Sequence, residues 1–218
     1  MLARSRIAAT DTMFPNLPPI TRALLVTNVG VFLLQLATDT ALVRWFGLWP
    51  FGGGTFDSQT GFLPWQVVTY SFLHGSLFHI FFNMLALYMF GSEIERVFGG
   101  RRYLLYYFVC VLVAAGAQLT VSALGSGPAY PTVGASGGVF GLLLAYGMYF
   151  PRRTVMLIFP PIPMPAWLFV IVYGLIELYF GVTGTQAGVA HFAHLGGMLG
   201  GWLMIQYWRG RLPFRRRW

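Results

Sequence analysis

Ser136 and His194 are the two residues whose types fit a reaction. Ser136 lies in Gly134-Ala135-Ser136-Gly137-Gly138 and heads the apolar run Val139 to Phe150. His194 lies in Ala193-His194-Leu195-Gly196-Gly197, inside another apolar run. A hydroxyl and an imidazole in lipid-spanning sequence each cost free energy unless they find partners. Together they suit acyl transfer. A serine hydroxyl becomes a useful nucleophile when a base takes its proton, and histidine is the usual base near neutral pH. A third apolar run carries His79 and Asn83. Four residues apart, they share one helical face, and both can donate hydrogen bonds to an oxyanion. If these sets meet, the chain cuts bonds within a bilayer.

The elements that must position them are membrane helices. Of 218 residues, 56% are hydrophobic and 9% charged, against about 25% charged in soluble domains. This composition predicts an all-α polytopic membrane protein. Six apolar runs can be drawn, at about Ile20–Thr38, Ser76–Gly91, Tyr103–Leu124, Ser136–Phe150, Val155–Phe180 and Val189–Trp208. A span of a hydrocarbon core takes about 20 helical residues, so the second and fourth runs are short. Pro160, Pro161, Pro163 and Pro165 interrupt the start of the fifth. The membrane domain is thus expected over residues 20–208, between a tail at 1–19 that lacks a signal-peptide pattern and a basic tail at 209–218.

The net charge is +8, and every basic residue is arginine. The arginines cluster between apolar runs, which argues for helix orientation and against nucleic-acid binding. With six spans, Arg4, Arg6, Arg22, Arg96, Arg101, Arg102, Arg152, Arg153, Arg209, Arg211 and Arg215 to Arg217 all fall on one side. Only Arg44 falls on the other. The positive-inside rule then places both termini in the cytoplasm of a bacterial-style inner membrane. The outer loop from Asp39 to Leu73 is rich in Trp, Phe and Gly and is expected to lie partly in the interface.

Depth links the candidates. Ser136 stands sixteen residues before Arg152, His194 fifteen before Arg209, and His79 fourteen before Glu93. At 1.5 Å per residue all three lie roughly 21–24 Å from the cytoplasmic edge, below the outer surface of a core about 30 Å thick. A sunken start for the fourth run requires a water-filled cavity above it, and it aims the free N–H groups and positive end of a helix at Ser136. Gly137 with Gly141, and Gly197 with Gly201, have the GxxxG spacing that lets helix backbones approach closely.

Blander readings stand beside these. Ser136 on its own suits a helix-packing serine, and His79 and Asn83 suit interhelical hydrogen bonds. His191 competes with His194 as base but sits nearer the surface. Glu177 is an ionisable residue in the fifth run that either reaches the level of Ser136 or is solvated at the outer interface; a Ser–His dyad is therefore expected over a triad. His74 and Glu95 read as structural, and Cys110 as packing. No metal site is expected from His74, His79, His191 and His194, because no HExxH pattern accompanies them. A transporter would show inverted repeats or charged midplane residues, and neither is found.

Taken together, these motifs resemble the rhomboid family of intramembrane serine proteases. The resemblance rests on Gly134-Ala135-Ser136-Gly137, on His79-xxx-Asn83, and on Ala193-His194-x-x-Gly197-xxx-Gly201. It extends to Phe72-Leu73-His74 and Glu95-Arg96-Val97-Phe98-Gly99, covering about residues 20 to 208. It implies the six-helix bacterial core and a Ser136/His194 dyad. It also implies an oxyanion held by His79, Asn83 and the Ser136 amide, and cleavage of single-pass membrane proteins without ATP, metal or other cofactor. A non-catalytic relative would lack the serine or the histidine, and both are present. One departure is Trp65-Gln66, where the family often has Trp-Arg.

Overall fold

The computed structural model describes residues 17–38, 40–52, 61–125, 130–157, 161–184 and 188–211. Arg4, Arg6, Arg215 to Arg217 and Pro160 lie outside them. Helix α1 (Pro19–Thr38) is followed by the short α2 (Ala41–Phe46) and α3 (Gln66–Thr69), which runs into a tight turn at Tyr70–Phe72. Then come α4 (Leu77–Ala86), a π-helical turn at Leu87–Gly91, α5 (Ser92–Phe98), α6 (Gly100–Leu124) and α7 (Ser136–Tyr149). A small antiparallel hairpin, β1 (Thr154–Met156) with β2 (Pro163–Pro165), leads to α8 (Ala166–Thr183) and α9 (His191–Trp208).

Four stretches are long and apolar enough to cross a membrane: Pro19–Thr38, Leu77–Phe98, Gly100–Leu124 and Ala166–Thr183. The second corrects the expectation of a short run ending at Gly91. The π turn keeps the chain helical through Glu93 and Arg96, and the helix stops only at Gly99, whose φ of 73° suits glycine. The hairpin corrects the fifth run in turn. Residues 155–157 and 161–165 are not helical: Val155 pairs with Met164 and Met156 with Pro163, so α8 starts eleven residues later than Val155. Helix α7 is short, as expected; its 14 residues rise ~21 Å against a core of about 30 Å.

The centre of the bundle is α6 packed against α7 and α9. The contact surfaces are small residues, because without a hydrophobic force between helices in lipid, close backbone approach supplies the attraction. A side-chain carbon at Gly197 would overlap the Gly137 carbonyl oxygen, and one at Gly196 would come within 2.6 Å of the Ala117 methyl. Tyrosines of α6 and of the turn before α4 fill the remaining space. Tyr106 Oη donates to Gly141 O (2.7 Å) and Tyr70 Oη to Val111 O (2.8 Å). Cys110 is fully buried against Gly141.

One end of the bundle gathers arginines. Arg96 and Arg153 both donate to Glu93 at 2.6 Å, and Arg209 lies over the Tyr149 ring. Three arginine-bearing segments that are distant in sequence therefore meet at one end. Nearby, Glu95 caps α1: Oε1 accepts from Ile20 N–H (2.9 Å), and Oε2 accepts from Thr21 N–H (2.6 Å) and Oγ1 (2.7 Å). A buried carboxylate thus satisfies the orphan donors at the positive end of that helix.

Candidate active site

Three helices begin at the opposite end, and each brings a candidate residue with it. Ser136 is the first residue of α7, His79 the third of α4 and His194 the fourth of α9. The start of α4 is set locally. Ser76 has extended backbone and its Oγ accepts from His79 N–H at 3.1 Å, the ordinary N-cap bond. The start of α7 is set by Gly134, whose φ of 133° lets the chain turn in from Tyr70, to whose carbonyl Gly134 N–H donates at 3.0 Å. A side-chain carbon on Gly134 would lie 2.8 Å from His79 Nε2 and 3.5 Å from Ser136 Oγ. That position must be glycine for the two helices to present these groups to one space.

Ser136 Oγ lies 2.7 Å from His194 Nε2, within hydrogen-bond reach of a nucleophile–base pair. The His194 ring is held from below by Phe140, one turn on from Ser136, with ring centroids 4.3 Å apart and planes 4° from parallel. His79 Nδ1 accepts from Gly75 N–H at 3.3 Å. That bond puts the ring proton on Nε2, the nitrogen that faces Gly134. Asn83 Nδ2 donates to His79 O at 2.9 Å, which spends one of its two amide hydrogens. The N–H of Ser136 precedes the first bond that closes α7, from Val139 N to Ala135 O, so it has no acceptor within the helix. Ser136, His194, His79 and Asn83 line one cavity of about 870 Å³ together with Phe140, Tyr173 and Glu177.

Of the two positions open for Glu177 in sequence, the structure shows the one beside His194. Counted from Val155, Glu177 stands 22 residues up its run, ~33 Å, which is the outer surface. Counted from the observed start of α8 at Ala166, it stands eleven residues up, ~16 Å, within the bundle. It is buried, and its Oε2 lies 2.9 Å from His194 Nδ1 and 2.7 Å from His191 Nδ1. His191, three residues nearer the start of α9 than His194, is likewise buried and bonds Glu177, not Ser136. The ligand atoms of Glu177, His191 and His194 all lie within 4.8 Å of one another, close enough to hold a metal ion. The separations of 2.7 and 2.9 Å are those of hydrogen bonds. His74 stands apart. Its backbone exchanges hydrogen bonds with the Gln35 side chain, and its ring meets Phe32 and His79 edge-on.

The Rhomboid domain model matches residues 62–211, more than half the chain. The chain belongs to the rhomboid family. Relatives named Rhomboid protease GlpG, from Yersinia pestis (strain Pestoides F) and Yersinia pseudotuberculosis serotype O:3 (strain YPIII), are each 27% identical over 214 residues. The alignment covers 96% of this chain and 69% of each relative. The same holds for the Rhomboid protease GlpG of Yersinia enterocolitica serotype O:8 / biotype 1B. As a rhomboid it is a multi-pass membrane protein.

Its departure from the family pattern at Gln66 has a visible consequence. The side chain is fully buried; Oε1 accepts from Leu63 N–H (3.1 Å) and Trp49 N–H (3.2 Å), and Nε2 points at Trp45 O and Gly61 O. One amide ties together the described parts of the first loop. Trp45, Phe51 and Trp65 on that loop are exposed, whereas Trp49 is buried.

Proposed function

We propose that this rhomboid is an intramembrane serine endopeptidase that hydrolyses peptide bonds in or near the transmembrane segments of single-pass membrane proteins. The observation that carries the reading is the 2.7 Å approach of His194 Nε2 to Ser136 Oγ in a cavity at the start of a helix too short to span. In this reading Ser136 Oγ attacks the scissile carbonyl carbon as His194 Nε2 takes its proton. The oxyanion so formed accepts hydrogen bonds from the Ser136 N–H, His79 Nε2–H and the Asn83 amide, at the positive end of α7. His194 then gives the proton to the leaving amine, leaving an ester on Ser136. Water from the cavity, deprotonated by His194, hydrolyses that ester and restores the serine. The chain's own side chains supply every proton transfer, and no cofactor is invoked.

The reading includes six spans, with α7 and α9 counted as the short and the polar one. Both termini are cytoplasmic in a bacterial inner membrane. The gathering of Arg96, Arg153 and Arg209 at the end away from Ser136 supports that orientation. Reconstitution in liposomes with a model single-pass substrate tests the function. Wild-type protein cleaves it, and Ser136→Ala and His194→Ala each lose on the order of 10³-fold or more without a change in thermal midpoint. Wild-type rates from either variant contradict the reading.

A further inference from the structure

We infer that Glu177 is a positioning residue for this reaction: its carboxylate fixes the tautomer and orientation of His194, making the centre a Ser136–His194–Glu177 relay with His191 as a second support. The inference rests on the reading of Ser136 and His194 given above. It adds the contacts of Glu177 with His194 and His191.

Glu177 Oε2 is shared by two imidazoles, at 2.7 Å from His191 Nδ1 and 2.9 Å from His194 Nδ1. An ionised carboxylate only accepts. Both rings must then carry their proton on Nδ1. For His194 this leaves the lone pair on Nε2, facing the Ser136 hydroxyl 2.7 Å away, which is the tautomer a general base requires. When Nε2 takes the serine proton, the imidazolium forms beside a negative charge that was already in place. Several features keep the carboxylate charged. His191 opens α9, so Glu177 sits against the N-terminal turn of that helix, where negative charge is favoured. His191 donates a second hydrogen bond. The titratable groups around His194 are Glu177 and Tyr173 on α8, His191 on its own helix and His79 on α4; Glu177 is the one anion among them.

His191 has no other visible task. Its Nε2 is buried and has no partner among the described residues, so its ring is committed to Glu177 through Nδ1. With its ring plane 86° from that of His194, it approaches the same oxygen from a different direction. Two donors from one helix converge on one acceptor from another, so α9 fixes where the Glu177 oxygen sits. Phe140 stacks on the face of His194 while Glu177 holds its edge; the ring is constrained in both rotation and tilt.

A glutamine at 177 presents an N–H₂ or a carbonyl. With the amide nitrogen toward His194 it donates to Nδ1, and the ring proton moves to Nε2, so the base is lost. With the oxygen toward His194 it lacks the charge that steadies the imidazolium. In the reconstituted wild-type and variant proteins, Glu177→Gln is expected to lower kcat on the order of 10²-fold. The acid limb of kcat/KM should fall by about one unit or more, and Glu177→Asp should recover part of the rate. Because Glu177 is on α8, slower cleavage alone is also what a disturbed path for the substrate helix would give. The rate of labelling by a small fluorophosphonate removes that ambiguity, since no substrate helix need enter. Slower labelling and a shifted limb support the inference. Labelling at the wild-type rate with an unmoved limb overturns it, even with Ser136→Ala inactive, and in that case the proposed function stands. Where Glu177→Gln does not fold, ¹⁵N-histidine NMR of the wild-type protein decides: His194 protonated on Nδ1 at neutral pH is expected, and protonation on Nε2 overturns the inference.

Discussion

Helices α9 and α8 border the same cavity and are built on opposite plans. Along α9 the buried residues are Ala193, Gly196, Gly197, Gly200 and Gly201, with His191, His194, Ile205 and Gln206. The helix is seated on α6 and α7 at backbone distance. Along α8 the buried residues are Ala166, Phe169, Val170 and Glu177, and most of the large side chains, including Trp167, Leu175, Leu178 and Tyr179, face outward. His194 is mounted on a helix close-packed against the one that carries Ser136. The carboxylate that meets it comes from a helix held mainly on one face. Bringing an imidazole and a hydroxyl to 2.7 Å inside lipid takes close-packed glycine surfaces. Adding a carboxylate takes only one long side chain, because two histidines on α9 draw it in.

Filling the glycine contact breaks the first half of this contrast and should have the largest effect. Gly197→Val places a branched side chain against the Gly137 carbonyl, a backbone atom that cannot swing away. Cleavage is expected to fall about 10²-fold or more, since displacement of the reacting pair by an ångström has that scale. Stability should drop by about 3 kcal/mol, read as a lower thermal midpoint in detergent. In the proposed mechanism Asn83→Ala removes one donor from the oxyanion. It should lower kcat on the order of 10²-fold, with KM and midpoint unchanged. At the far end of the bundle, Glu95→Gln breaks the acceptor set at the start of α1. It should cost about 2 kcal/mol while the labelling rate of Ser136 stays the same. The smallest effect belongs to the outward face of α8, where Leu178→Ala should change stability by less than about 0.5 kcal/mol. A loss there as large as at Gly197 would show that α8 is as firmly seated as α9, against the contrast drawn.

How much of this was legible depended on where polar residues interrupt apolar sequence. Ser136, His194, His79 and Asn83 each stand out against grease, and counting from charged boundaries at Arg152, Arg209 and Glu93 puts three of them at one depth. Glu177 stays open between the level of Ser136 and the outer interface in sequence, because the start of its helix within the fifth run is not marked. Pro163 and Pro165, among the prolines that interrupt that run, instead sit in β2 paired with β1, and the helix begins only at Ala166. Proline is disfavoured in helix interiors, which fits a helix that starts only after Pro165. The second run reads as short because Glu93, Glu95 and Arg96 look like an end in sequence. They are a helical continuation whose charges meet at the arginine-rich end. Phe140 carried no signal beyond its position one turn from Ser136. The role of Gln66 as the amide joining Trp49 and Leu63 depends on contacts that no local pattern encodes.

The central claim is that Ser136 is a nucleophile activated by His194. Mass spectrometry of protein treated with a fluorophosphonate in liposomes tests it most directly. A single adduct on the peptide containing Ser136 is predicted for the wild-type chain, with none on His194→Ala over the same time. An adduct mapped to another serine, or equal labelling of Ser136 without His194, would contradict the account.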